Sequence, residues 1–151
     1  MTPEALACIE QELSVSLPQT YREALMRPEF QGEEAGFQDF SGDADEIIGL
    51  NLEVRQDGFC GAKWPDHYLV IGEDGAGNNY FTDLKKQHPA VFLADHELTT
   101  NQNRLVTSET YGTFADFIAF LHRLQSEVAA PADPEERGAE SPAVKPWWRF
   151  W

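Results

Sequence analysis

The chain has 151 residues, with 26 Asp and Glu against 11 Lys and Arg, and a formal net charge of -15. Such a charge opposes binding to nucleic acid or to an anionic membrane surface and favours a basic partner. The length suits one ordinary domain with a tail rather than two domains, and the opening Met1-Thr2-Pro3-Glu4 has neither the basic segment nor the apolar run of a secretory leader or a membrane span, so a cytoplasmic chain is expected.

Thr2 is placed to cap a helix whose first turn holds Pro3 and Glu4, with Leu6, Ile9 and Leu13 on one face; a helix is predicted near 3–14. Leu17-Pro18 restarts the chain, and Tyr21 and Leu25 lie four apart, which predicts a second helix near 18–26, ended by Pro28. Residues 29–45 show no clean period and read as a loop that pins Phe37 or Phe40 to the core. Ile48, Leu50, Leu52 and Val54 then alternate with Gly49, Asn51 and Glu53, the period of a half-buried strand.

Tyr68-Leu69-Val70-Ile71 is apolar at every position, as expected of a central strand covered on both faces. Gly72, Gly75 and Gly77, with Asp74, Asn78 and Asn79, then supply the positive-φ positions of a hairpin connection. A phosphate-cradling loop would need a helix opening directly after it; here the aromatic strand Tyr80–Leu84 follows. Val91–Ala94 continues the sheet, and Leu105-Val106 is expected as a short edge strand. Thr113 and Asp116 form a capping box ahead of a helix striped by Phe114, Phe117, Ile118, Leu121 and Leu124. Strands bracketed by helices predict an α+β domain over 1–125, its largely antiparallel sheet covered by the N-terminal and C-terminal helices. Residues 126–146, with four prolines among Ala, Glu and Asp, read as a linker, and 147–151 as an aromatic tail, Trp147-Trp148-Arg149-Phe150-Trp151, expected to dock because exposed rings are costly.

Catalytic and metal chemistry find little support. His67, His88, His96 and His122 show no ligand spacing and are expected to be structural or solvent-facing. Cys8 and Cys60 lack metal or redox spacing and are expected as buried small hydrophobes. Asp95-His96-Glu97 follows a strand, where adjacent side chains diverge, so hydrogen bonding at a strand end is expected of it. The serines lack a nucleophile-elbow context. The carboxylates of 39–46 do not fit an EF-hand loop. No cofactor and no metal are therefore expected. From Glu29 to Glu46 there are seven carboxylates and no Lys or Arg. A solubilising loop would account for such a run; a binding face would include Glu33, Glu34, Asp39, Asp43, Asp45 and Glu46, with Glu73, Asp74 and Asp95 nearby in the second half of the chain.

The order of these features carries a resemblance. A first helix with Glu10 and Leu13, Leu17-Pro18-x-x-Tyr21, the Ile71-Gly72-Glu73-Asp74-Gly75-Ala76-Gly77 turn with Tyr80, Val91-Phe92-Leu93 leading into Asp95-His96-Glu97, and Phe114 with Phe117-Ile118-Ala119-Phe120-Leu121 together resemble the SUKH superfamily, in its Smi/Knr branch, over about 1–125. Leu17, Pro18, Tyr21, Gly72, Gly75, Gly77 and Tyr80 are its structural positions. Arg27-Pro28-Glu29-Phe30 stands where the family often has Asn-Gly-Gly, and the aromatic tail lies outside the shared core. The resemblance implies a protein-binding domain without chemistry of its own: an immunity protein that neutralises a basic toxin domain of a bacterial polymorphic toxin system, or, as an alternative, a scaffold of the kind found in fungal cell-wall signalling. A hydrolase with an unrecognised site is the third reading.

Overall fold

The computed structural model describes residues 1–27, 40–86 and 89–129. Within them five helices and a four-stranded antiparallel sheet follow in the order α1 (Pro3–Leu13), α2 (Gln19–Leu25), α3 (Ala44–Asp57), β1 (Tyr68–Glu73), β2 (Asn79–Asp83), β3 (Ala90–Ala94), α4 (His96–Gln102), β4 (Thr107–Thr113) and α5 (Phe114–Ala129). This is the expected α+β fold. The Thr2 side chain accepts from the Ala5 N–H at 3.2 Å and opens α1, while α5 opens on the capping box, Thr113 N donating to Asp116 Oδ2 at 2.8 Å and Asp116 N to Thr113 Oγ1 at 3.3 Å.

The strand expected over Ile48, Leu50, Leu52 and Val54 is instead part of helix α3. Asp43 caps it by accepting from Glu46 N at 3.0 Å, and the buried positions are Ile47, Asn51 and Val54, four and three residues apart as a helix face requires. Leu52, inward-facing in the strand reading, is 48% exposed.

Strand order in the sheet is β1-β2-β3-β4, so β1 lies at an edge and not at the centre. Leu69, Val70 and Ile71 are nonetheless all buried and Tyr68 half-buried, because each face of the sheet has its own cover. Leu69 and Ile71, with Tyr80, Val91 and Leu93, face a core built with α1, α2 and α5. Val70 and Phe81, pointing the other way, pack with Val54, Phe59 and Trp64. Phe40 is 3% exposed and joins the first core; Phe37, Pro28 and His88 lie outside the described residues.

Three further expectations are revised. The last strand begins immediately after Leu105-Val106 and runs for seven residues, Thr107–Thr113, paired to β3. Asp95, itself on extended backbone, leads into helix α4, so His96 and Glu97 are helical rather than extended, and the Asp95 side chain accepts from Leu98 N at 2.8 Å. Cys8 and Cys60 are exposed, not buried; Cys8 falls on the outer face of α1, and Cys60, at φ 50°, sits with Gly61 at the tip of the tight turn between Phe59 and Ala62. Helix α5 continues to Ala129, into the first positions assigned to the linker. The remaining linker and the aromatic tail lie outside the described residues.

Candidate functional site

The connection between β1 and β2 is built on one carboxylate. Asp74 accepts from Ala76 N at 2.8 Å, Asn78 N at 3.0 Å and Asn78 Nδ2 at 2.6 Å, with Gly75 at φ 71° and Gly77 at φ 94° supplying the left-handed positions. Burial pushes the Asp74 carboxyl up, but these hydrogen bonds to its charged form outweigh burial and hold it below its ordinary value. Gly72 does not share the turn's conformation; it pairs with Tyr80 inside β1, beside an irregularity in register. The hairpin tip is docked: Asn78 Oδ1 accepts from His96 N at 2.9 Å and lies 2.9 Å from His96 Nδ1. Asp95, His96 and the glycine turn thus form one structural unit.

Beside that unit three elements bring carboxylates together. Helix α3 carries Glu46 in its first turn and Glu53 further along, β1 ends at Glu73, and Asp74 follows. Glu73 is pushed above the ordinary carboxylate range by partial burial and then by the negative charges of Glu46, Glu53 and Asp74. Among the described residues no Lys or Arg pairs with any of the four. Ser41 Oγ donates to Glu46 Oε2, which fixes one carboxylate without neutralising it.

A cavity of about 210 Å³ opens between α3, the Phe59–Ala62 turn and the hairpin. Glu53, Glu73 and Asn79 contribute polar groups to its lining, and Leu50, Val54 and Phe59 apolar ones.

Of the residues singled out in the sequence, Glu46, Glu73 and Asp74 converge here. Asp43 and Asp95 serve as helix caps, and Asp45 is exposed in the first turn of α3. Glu33, Glu34 and Asp39 lie outside the described residues. Glu53 and Asn79 were missed as site residues; once α3 is a helix, Glu46 and Glu53 are seven apart and share a face, which is the signal that would have found Glu53. Leu17 N donates to Glu10 Oε1 at 2.8 Å, Pro18 precedes α2 as its N-cap, and Tyr21 and Tyr80 are core residues.

A second cleft, of about 370 Å³, holds Ser14, Ser16 and His67. His67 Nε2 stands 3.9 Å from Asp83 Oδ1, but neither serine hydrogen-bonds the ring, so no activated nucleophile is assembled there. Among the described residues no group of three or more His, Cys, Asp or Glu is disposed to hold a metal ion, and no helix is long and apolar enough to cross a membrane.

Residues 1–122 match the family model described as SMI1 / KNR4 family (SUKH-1). No curated protein and no solved structure matches the chain.

Proposed function

This chain belongs to the SMI1 / KNR4 family (SUKH-1), and on that premise we propose that it is a non-enzymatic, cytoplasmic immunity protein that neutralises a toxin by covering a basic surface of it. The observation that carries this reading is the gathering of Glu46, Glu53, Glu73 and Asp74 without a cation among the described residues. Like charges held together cost free energy in the isolated protein, and that cost is relieved when a positively charged surface arrives. Exposed carboxylates on a chain of net charge -15 also accelerate the encounter with such a surface by long-range steering, an effect that salt screens.

The test is affinity capture with the full chain from its native cell, followed by association kinetics with the captured protein across a salt series. A basic toxin domain whose association slows as salt rises supports the proposal. Capture of a non-toxin signalling protein would favour the scaffold reading, and association indifferent to salt would place the contact away from the acidic face.

A further inference from the structure

We infer that the free edge of β4 is covered by this chain's own segment Trp147–Trp151, which adds a fifth strand to the sheet. Among the described residues β4 pairs with β3 alone, and six of its seven residues are exposed, Tyr111 being half-buried. That leaves about 23 Å of strand edge with neither the Lys nor the Pro by which sheets discourage pairing, and with Glu109 as its one charge. The opposite edge is closed, since the Asn51 amide takes both backbone groups of Val70 on β1.

Both faces of the sheet are unfinished beside β4. On one, the rings of Tyr111 and Phe120 stand 4.7 Å apart, both partly buried. On the other, the partly buried Phe92 lies opposite the exposed Thr110. A strand that completes this edge therefore needs large apolar side chains on both of its faces. Trp147-Trp148-Arg149-Phe150-Trp151 meets that need: on extended backbone Trp148 and Phe150 project to one side, Trp147 and Trp151 to the other. Trp and Phe are also favoured in strands and in cross-strand aromatic pairs. The segment brings what β4 lacks, because Lys145, Pro146 and Arg149 give the new outer edge the residues that resist further pairing.

The point of departure fits a contact within one chain. Tyr111, two residues before the end of β4, packs on Phe117 and Phe120 of α5, so the helix doubles back along the strand. From Phe120 to Ala129 the helix advances about 13 Å, and from Tyr111 back to Thr107 the strand covers about the same distance. The end of α5 is thus level with the start of β4. Residues 130–146 can span about 50 Å, roughly twice the length of the edge, and a tether of that size holds the segment near β4 at an effective concentration on the order of millimolar. Lys145 and Arg149 are the charged residues after Glu140, in a chain of net charge -15, so the acidic body attracts the segment as well.

The experiment is NMR on the full chain, on a chain lacking residues 145–151 and on the double variant Trp148→Ser/Phe150→Ser, reading amide hydrogen exchange along β4 and cross-relaxation between aromatic rings. In the full chain the β4 amides that point away from β3 should exchange slowly. Both changes should accelerate them at least about tenfold while the amides of β2 keep their protection. Ring cross-peaks should join Trp148 or Trp151 to Tyr111 or Phe92, and sedimentation should give a monomeric mass at every concentration. Exchange along β4 that is unchanged by the deletion, or cross-peaks that place the tryptophans on another face, would overturn the assignment. Protection that grows with protein concentration, together with a dimeric mass, would overturn it in favour of a second copy. An edge unprotected in the isolated chain and protected by a captured protein would overturn it in favour of that partner.

Discussion

The side-chain amide of Asn51 hydrogen-bonds both backbone groups of Val70, its Nδ2 donating to Val70 O at 2.8 Å and its Oδ1 accepting from Val70 N at 2.9 Å. The same Nδ2 donates to Ile47 O at 2.8 Å, and the residue is fully buried. Asn51 therefore stands at the outer edge of β1 as a neighbouring strand's peptide would, with Ser41 N donating to Ile71 O at 3.1 Å beside it. An edge strand otherwise offers unpaired groups to any other strand. Asn51→Ala should leave the Val70 N–H and C=O buried and unpaired, at a cost of about 2–4 kcal/mol. Urea unfolding measures this directly, and a loss below about 0.5 kcal/mol would show that the edge is held by other contacts.

Glu10 ties α1 to α2. One carboxylate oxygen accepts from Leu17 N at 2.8 Å and the other lies 2.7 Å from Arg22 Nη1. Its pKa is lowered chiefly by the hydrogen bond from Arg22, with burial opposing and Leu17 N and the Arg22 charge assisting. A carboxyl whose folded pKa lies below its unfolded value stabilises the fold above the unfolded value, and that stabilisation is lost as pH falls through the folded one. Glu10→Gln should thus cost up to about 1 kcal/mol at pH 7, since the pair is partly exposed. The two melting temperatures should converge in acid. A constant offset at every pH would assign the effect to packing.

The helix starts were legible because capping is local chemistry: Thr2 ahead of α1 and the Thr113 and Asp116 pair ahead of α5 can be read within four residues. The hairpin was legible from Gly75 and Gly77 for the same reason. Helix α3 was not, because a polar residue occupies a core position: Asn51 interrupts the apolar period, leaving the alternation of Ile48, Leu50, Leu52 and Val54 as the stronger pattern. Its burial is justified only by the edge of β1, nineteen residues away. That one misreading hid Glu53, and with it the cavity. The edge position of β1 was hidden by the same cause, since a strand covered on both faces and plugged along one side is as apolar as a central one. Helix α4 escaped notice because His96–Gln102 buries only Thr99.

Gly49 reports on the open face of α3. It lies mid-helix, is exposed, and a Cβ built on it meets nothing within 4 Å. Gly49→Ala should therefore stabilise the protein by about 0.5–1 kcal/mol, the helix-propensity difference. A rise in the denaturation midpoint at unchanged slope is the supporting result.

The glycine turns should rank by conformation and space together. Gly58, at φ 78°, would place a Cβ 2.5 Å from the Ala62 carbonyl oxygen, whereas Gly77, at φ 94°, would bring it to 3.6 Å from the His96 ring, and Gly75, at φ 71°, has open space. Alanine at 75 or 77 should cost about 1–2 kcal/mol for the left-handed backbone alone. Alanine at 58 should cost more, because the backbone of the Phe59–Ala62 turn must also move. Melting temperatures for the three variants test the order, and equal losses would contradict it.

Glu73 separates stability from binding. Partial burial and the charges of Glu46, Glu53 and Asp74 raise its pKa in the folded chain, so here the folded value lies above the unfolded one. Its ionised form therefore opposes folding: stability is greatest below the ordinary glutamate range and declines as pH rises through the unfolded and then the folded pKa. Glu73→Gln should remove that penalty. At pH 7 the gain should be only a few tenths of a kcal/mol, because the exposed side chain is screened by water and salt, and it should vanish in acid, where the wild-type carboxyl is already neutral. The same substitution should weaken the hold on a cationic partner. A variant more stable alone and poorer in complex is what a site whose repulsion is relieved by its ligand requires. Loss of stability at pH 7 would instead make Glu73 part of the hairpin's own support and shift the binding role to Glu53 and Glu46.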